Sequence, residues 1–135
     1  MTTFARPDDH DPNCLFCRWL RKRREIDALG MAAAFEDGYP VTPRHVLIVP
    51  RRHVANGLAM TDEEIRDCEA LIRRFVETIQ QDDPTVTGFN IGMNIGTSAG
   101  QTIFHAHIHL IPRREGDTDD PKGGVRGVIP GKRRY

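Results

Sequence analysis

No apolar run in this chain is long enough to span a bilayer. The polar opening, Met1 to Asn13, also lacks the hydrophobic region of a signal peptide. Both absences predict a cytoplasmic protein with no membrane role. Nor is there an excess of charge: 19 Lys and Arg balance 19 Asp and Glu. General nucleic-acid binders carry a net basic field, so no nucleic-acid partner is expected. The arginine pairs at 51–52, 73–74 and 113–114 read first as solvated surface, although a small anionic ligand needs only a few such charges. Cysteine is scarce: three residues, two of them close together, do not make a disulfide framework in that compartment. Internal repeats are absent. What is present is an ordinary composition, 39% hydrophobic and 28% charged over 135 residues, which predicts one soluble domain with a single core.

Leu15 to Asp27 reads as a short, strongly basic helix ended by Gly30. Met31 to Glu36 fits a strand, followed by an Asp37-Gly38-Tyr39-Pro40 turn. His45 to Val49 is rich in β-branched residues and stopped by Pro50, as a strand would be. The clearest helix runs from Thr61 to about Gln80, with Thr61 as N-cap and Glu64 completing a capping box. Asp62 and Glu63 suit its dipole. Ile65, Cys68, Leu71, Ile72, Phe75, Val76 and Ile79 recur at helical spacing and predict one core face, with Cys68 a structural thiol inside it. Gly88 to Met93 fits another strand, and a loop at Gly96 to Gly100 follows. Short connections between strands predict an α+β fold with an antiparallel sheet. Residues 1–13 are expected as a flexible lead, 14–112 as the folded domain and 113–135 as a charged, glycine-rich tail.

The stretch Gln101 to Pro112 demands a chemical reason. His105, His107 and His109 alternate with Phe104, Ala106, Ile108 and Leu110, the two-residue period of a half-buried strand. Such a strand places the three imidazoles on one face and the apolar residues on the other. Crowded imidazoles need hydrogen-bonding partners and give a core little. An imidazole is nucleophilic near pH 7 and can attack phosphorus to give a covalent phosphoramidate, splitting one displacement into two easier ones. Its neighbours can then orient the ring or donate to phosphate oxygens. Gln101, Thr102 and the glycine-loop N–H groups suit phosphate oxygens as well. Cys14-Leu15-Phe16-Cys17 is a second constellation, open by itself to redox, zinc-binding or incidental readings.

His105-Ala106-His107-Ile108-His109-Leu110-Ile111 resembles the His-φ-His-φ-His-φ-φ signature of the histidine triad (HIT) superfamily of nucleotide hydrolases and transferases. The likeness runs from about Cys14 to Pro112 and includes Arg44 to His53, Asn94 and Gly100-Gln101-Thr102. It implies a HIT-like fold with a five-stranded antiparallel sheet, one long and one short helix, and a homodimer. It assigns the nucleophile to His107, with His109, His45 and Gln101 as catalytic support. Substrate contacts fall to Asn94, Thr102 and Gly100, and ribose contacts to Asp37, whose bland alternative is a turn residue. Members that carry an N-terminal Cys-x-x-Cys bind structural zinc, which by position implies Cys14, Cys17, His53 and His105 as ligands and no catalytic cofactor. His105 then faces the zinc while His107 and His109 face the phosphate. The tail exceeds that of the smallest members, and Arg126, with Arg113, is expected to reach the distal part of a substrate; a disordered tail is the bland alternative. His10 is expected to do nothing specific.

The implied reaction is cleavage at the α-phosphorus of a dinucleoside polyphosphate, a nucleoside phosphoramidate or a similar conjugate. Two alternatives stand beside it. The triad itself could hold a hydrolytic zinc, or the chain could be a nucleotide-binding regulator with little turnover.

Overall fold

A computed structural model describes residues 10–135. The expected flexible lead falls mostly outside the described residues; of its end, Asp11 accepts the amide of Cys14 at 3.0 Å. The chain then runs α1 (Leu15–Arg21), β1 (Asp27–Leu29), β2 (Ala32–Glu36), β3 (Val46–Pro50), α2 (Asp62–Asp82), β4 (Val86–Gly92) and β5 (Ile108–Arg114), joined in places by single 3-10 turns. The strands form one antiparallel sheet in the order β1-β2-β3-β5-β4. No helix among the described residues is long and apolar enough to cross a membrane.

Strand alternation gives the sheet two faces with different cover. Ala32, Ala34, Val46, Ile48, Ile108 and Leu110 face α2 and pack against Cys68, Leu71, Ile72, Phe75 and Ile79. Ala33, Phe35, Leu47 and Val49 face the other way, against Cys14, Phe16, Cys17 and Leu20 of the α1 segment. The capping box of α2 is formed as read, Thr61 accepting from the Glu64 amide and Glu64 from the Thr61 amide. Ile65 departs from the expected core stripe and is 45% exposed. Glu64 takes the inward position, its carboxylate folded back to the cap and held by Arg52 at 2.8 Å.

Three other expectations change. The basic helix stops at Arg21 rather than Asp27, because nothing apolar after Leu20 continues a buried face and Arg23 adopts φ 53°. The residues freed form β1, closed onto β2 by a tight turn at Gly30. Gly30 sits at φ 55° with the Asp67 carboxylate where a Cβ would stand, and that carboxylate accepts the Met31 amide. The histidine strand begins only at Ile108, so His105 and His107 precede the sheet on irregular backbone and only His109 is a strand residue. Phe104, expected on the apolar face, is 47% exposed. The sidedness of Ala106, Ile108 and Leu110 survives, all three lying in the α2-side core. Beyond β5 the tail turns back on itself through ion pairs of Asp117 with Arg113 and of Asp120 with Arg133 and Arg134.

Candidate active site

Backbone groups fix the hydrogen-bonding state of His45, His105 and His107, and His45 passes it on to His109. The Val41 amide donates to His45 Nδ1 at 3.0 Å, which leaves the proton of that neutral ring on Nε2. His45 Nε2 then donates to His109 Nδ1 at 2.9 Å, and His109 keeps its own Nε2–H for a ligand. Burial, ahead of the neighbouring charges, pushes the pKa of both His45 and His109 down, so both rings are neutral near pH 7. His107 Nδ1 faces the His105 carbonyl at 2.8 Å and must donate to it. Its Nε2 lone pair is therefore free in the neutral ring. The His107 and His109 rings lie 5.3 Å apart at a steep angle. The segment entering β5 thus presents a nucleophilic nitrogen beside an N–H donor.

Asp37 sits where β2 leaves the sheet, its amide bonded to the His45 carbonyl and its carboxylate 3.5 Å from His45 Nε2. The same carboxylate accepts the Tyr39 amide at 2.7 Å, as a turn residue would. The segment after it ends on Arg44 at φ 73° and is tied to β5 by Thr42, whose hydroxyl donates to the Pro112 carbonyl at 2.6 Å. Gln101 is buried, and its amide is occupied internally: Oε1 accepts the Gly96 amide, while Nε2 donates to Ala55 and Ile103 carbonyls. It holds the loop rather than reaching outward. The amides of Ala99, Gly100 and Gln101 are likewise bonded within that loop. Asn94 and Thr102 remain exposed, and Gly100, at φ 94°, stands beside the Asn94 side-chain amide. A cleft of about 280 Å³ lies on this side, its lining including Cys14, Arg18, His53, Thr102 and Phe104. The two tail arginines are engaged elsewhere in the chain. Arg113 bonds Asn90 and Asp117, and Arg126 lies over the Tyr135 ring at 5.1 Å.

His105 turns away from the other two triad members and is fully buried. Its Nε2 donates to the Pro50 carbonyl at 2.8 Å, so Nδ1 carries the lone pair. That nitrogen stands 3.4 Å from Cys14 Sγ, 3.6 Å from Cys17 Sγ and 3.3 Å from His53 Nδ1, while Cys17 Sγ lies 3.5 Å from His53 Nδ1. All four donor atoms fall within 4.8 Å of one another. A tetrahedral zinc with Zn–S of about 2.3 Å and Zn–N of about 2.0–2.1 Å would set sulfur and nitrogen about 3.5 Å apart and two nitrogens about 3.4 Å apart. The donor set and the spacing both fit that ion. Burial drives the His105 pKa down to about 4 and the Cys17 thiol up to about 11. His10, expected to be idle, is near enough to bear on the His105 charge. The further group Asp37, His45 and His109 is also compact. There, however, the two nitrogens share a hydrogen bond.

Two aromatic residues of the site were not singled out in the sequence. Phe16 lies between the cysteines and packs against His105, His107 and Phe35 at centroid distances of 5.6, 5.2 and 5.9 Å. Trp19, half-buried one turn later, packs on Phe35 at 5.2 Å. A lone tryptophan in an otherwise basic helix was the available signal.

Comparison with known proteins gives this arrangement its relatives. The HIT domain model matches residues 27–116. An uncharacterized HIT-like protein of Saccharolobus solfataricus is 33% identical over 115 residues, 83% of this chain and 82% of that one. An adenosine 5'-monophosphoramidase of Candida albicans is 29% identical over 76% of this chain and 72% of its own. An asymmetrical bis(5'-nucleosyl)-tetraphosphatase of Schizosaccharomyces pombe is 36% identical over 64% of this chain, but that match spans 47% of the longer enzyme. Among solved structures, a HIT family protein from Bacillus anthracis superposes with a TM-score of 0.72 at 31% identity, covering 78% of this chain and 77% of that one. The sheet order, the three ordered imidazoles and these matches agree, and the chain belongs to the HIT domain family.

Proposed function

We propose that the protein is a nucleotide hydrolase or nucleotidyl transferase that works through a nucleotidyl-histidine at His107. The observation that carries this reading is the free Nε2 of His107, set by the hydrogen bond from its Nδ1 to the His105 carbonyl, beside the Nε2–H of His109. His107 Nε2 attacks the α-phosphorus, a P–N bond forms, and the bond to the leaving group breaks. Water or another acceptor then attacks phosphorus and releases the ring. His109, aligned by His45, donates to a phosphate oxygen as charge moves onto it. Asn94 and Thr102 take further phosphate contacts, while Gly100, its amide bonded to Thr97, turns the loop that Gln101 holds in support of catalysis. Asp37 takes the ribose hydroxyls, and Trp19 on Phe35 supports stacking of a base on that side. Arg126 reaches the substrate's distal part only after leaving Tyr135.

Relatives that cleave dinucleoside tetraphosphates or adenosine phosphoramidates make both bond types candidate substrates. Zinc in the Cys14–Cys17–His53–His105 cluster is proposed as structural: those residues would hold the ion and supply no reacting group. A cytoplasmic setting would keep both thiols reduced for it. A homodimer is proposed with it, since β4 is an edge strand with Ile91 exposed on it and Met93 exposed just beyond it; sedimentation measures it. The reading of the triad as one hydrolytic metal site is disfavoured by His105, whose lone pair points into the cysteine cluster.

The test is an alkaline quench of the protein with a dinucleoside tetraphosphate or an adenosine phosphoramidate, which preserves an acid-labile P–N bond, followed by peptide mass spectrometry above neutral pH. A nucleotide adduct on His107 is expected, with turnover reduced at least about a thousandfold in His107→Ala. An enzyme that turns over normally in His107→Ala would end this reading. Nucleotide binding without turnover in the unaltered protein would favour the regulator.

A further inference from the structure

The Cys/His cluster and the nucleophile are joined by two short routes. The first is covalent: His105 offers Nδ1 to the cluster and its carbonyl to His107 Nδ1–H, so one residue faces both sites. Around it the backbone has little freedom. His105 Nε2 is bonded to Pro50, and the next amide, Ala106, donates to the Val54 carbonyl at 2.8 Å. The second route is the Phe16 ring. It is carried between the two cysteines, is itself fully buried, and touches the His105 and His107 rings on one side and Phe35 on the other. A shift at Cys14 or Cys17 therefore moves the wall against which His107 rests.

The cluster has a reason to shift when it holds no cation. The lone pair of His105 Nδ1 faces His53 Nδ1 at 3.3 Å, so without a cation a proton on His53 Nδ1 must stand between them and donate to His105. A tetrahedral cation takes both of those nitrogens as lone-pair donors, so loading exchanges the His53–His105 hydrogen bond and the sulfur–nitrogen contacts at 3.4–3.6 Å for four bonds to one centre. Because His105 is pinned at Pro50, the adjustment between the two states falls on the cysteine-bearing helix start, on His53, or on the His105 peptide itself.

We infer that occupancy of the Cys14–Cys17–His53–His105 cluster by a tetrahedral cation sets the orientation of the His107 ring through the His105 carbonyl and the Phe16 ring, so that metal loading governs the rate of nucleotidyl transfer. Phe16 is thereby a positioning residue of the reaction. This rests on His107 as the nucleophile and adds how that residue is controlled. A misplacement on the order of 1 Å at a reacting atom costs about a hundredfold, and partners that orient a metal ligand matter about 10–100-fold.

The experiment uses the full chain, zinc-loaded and chelator-stripped, with metal content measured by emission spectrometry. Nitrogen-15 spectra then read the His107 tautomer, and kcat and KM are measured separately. Loaded protein is expected to hold one zinc per chain and to show a single Nδ1–H tautomer at His107. Stripped protein, still folded by circular dichroism, is expected to show mixed tautomers and a kcat lower by about tenfold or more, with KM within about twofold. Phe16→Leu tests the second route without removing a ligand: zinc content stays, kcat falls about tenfold, and Phe16→Tyr restores most of it. If stripping unfolds the chain, the Phe16→Leu result decides alone. Protein that takes up no zinc overturns the inference. So does stripped, folded protein with an unchanged His107 tautomer and kcat, or a Phe16→Leu variant with unchanged kcat. In those cases a dead His107→Ala leaves the proposed reaction standing. Turnover that survives His107→Ala overturns the reaction instead, while the tautomer spectra still report whether cluster and ring are linked.

Discussion

The two faces of the sheet are built from the same strands and do different work. The α2 face is closed by a helix of 21 residues that presents Cys68, Leu71, Ile72, Phe75 and Ile79 to five strands' worth of aliphatic side chains. The α1 face is covered by a helix of seven residues, and its cover is eked out by rings: Phe16, Trp19, Phe35 and the histidines. One face is sealed hydrocarbon, where burial of each large aliphatic side chain contributes about 1.5–3 kcal/mol. On the other, burial falls on groups with lone pairs, and every lone pair has to be directed. The lesson is a division of labour across a single layer of backbone, with the stability held behind the proposed chemistry.

The largest effect expected tests that division directly. Leu71→Ala empties a fully buried position on α2 and should cost about 3–4 kcal/mol in denaturant unfolding, while kcat/KM per folded molecule stays within about twofold. His109→Ala is the converse. It removes the donor beside His107 and should lower kcat about a hundredfold, with an unfolding midpoint shifted by about 1 kcal/mol or less. A Leu71→Ala protein that folds but turns over a hundred times more slowly would show that the faces are coupled through the sheet.

Acid should separate the faces next. The pKa of His105 in the folded chain, about 4, lies below its unfolded value near 6.5, and those of His45 and His109 are lowered too. The unfolded chain therefore takes up protons first as pH falls. Stability on the α1 side is whole above about pH 6.5 and is lost progressively down to about 4, by roughly 3 kcal/mol for His105 in metal-free protein. Glu64, at the start of α2, behaves otherwise. Burial alone would raise its pKa, but the bonds from Arg52 and Thr61 outweigh burial and lower it. Its contribution persists above its unfolded value of 4.5 and falls away only below that. Unfolding midpoints against pH for the wild type and Glu64→Gln, the latter weaker by about 2 kcal/mol near neutrality, resolve the two windows.

The difference between the faces also explains what was legible in the sequence. The α2 side follows periodic rules: the capping box, the helical stripe and the β-branched strand, read as 45–49 and found at 46–50, were all readable, because hydrophobic burial writes itself at fixed spacing. Ile65 was misjudged there only because the Arg52 pair draws Glu64 inward, a contact between residues twelve apart. On the α1 side local rules failed sooner. The His105-to-His109 alternation suggested a continuous strand, yet the backbone enters the sheet only at Ile108, since His105 is held by Pro50 and the cysteine cluster rather than by a strand partner. β1 was missed because three residues between a basic helix end and Gly30 carry little pattern of their own. The role of Gln101 as a loop brace depends on Gly96 and Ala55, which nothing in the spacing links to it. The family signature supplied the candidate residues; the direction of each lone pair required the fold.

Cysteine offers the smallest and cleanest comparison, because the same residue occurs on both faces. Cys68 on α2 and Cys17 on α1 are both fully buried, and burial raises both thiols, to about 12 and about 11. Acidity therefore does not tell them apart. Their neighbours do. Cys68 lies within the apolar cluster of Leu71, Ile72 and Ile48, and the charges that bear on it, Glu64 and Asp67, oppose a thiolate. Cys17 faces the nitrogens of His53 and His105 at 3.5 and 3.6 Å, which a cation would convert from a crowded set of donors into a closed tetrahedron. Cys68→Ala should thus cost about 1 kcal/mol for the lost sulfur and leave zinc content and kcat untouched. Cys17→Ala should abolish tight zinc binding. If Cys68→Ala also released the metal, the sealed face would be holding the ion in place from behind the sheet, and the separation of stability from chemistry would fail.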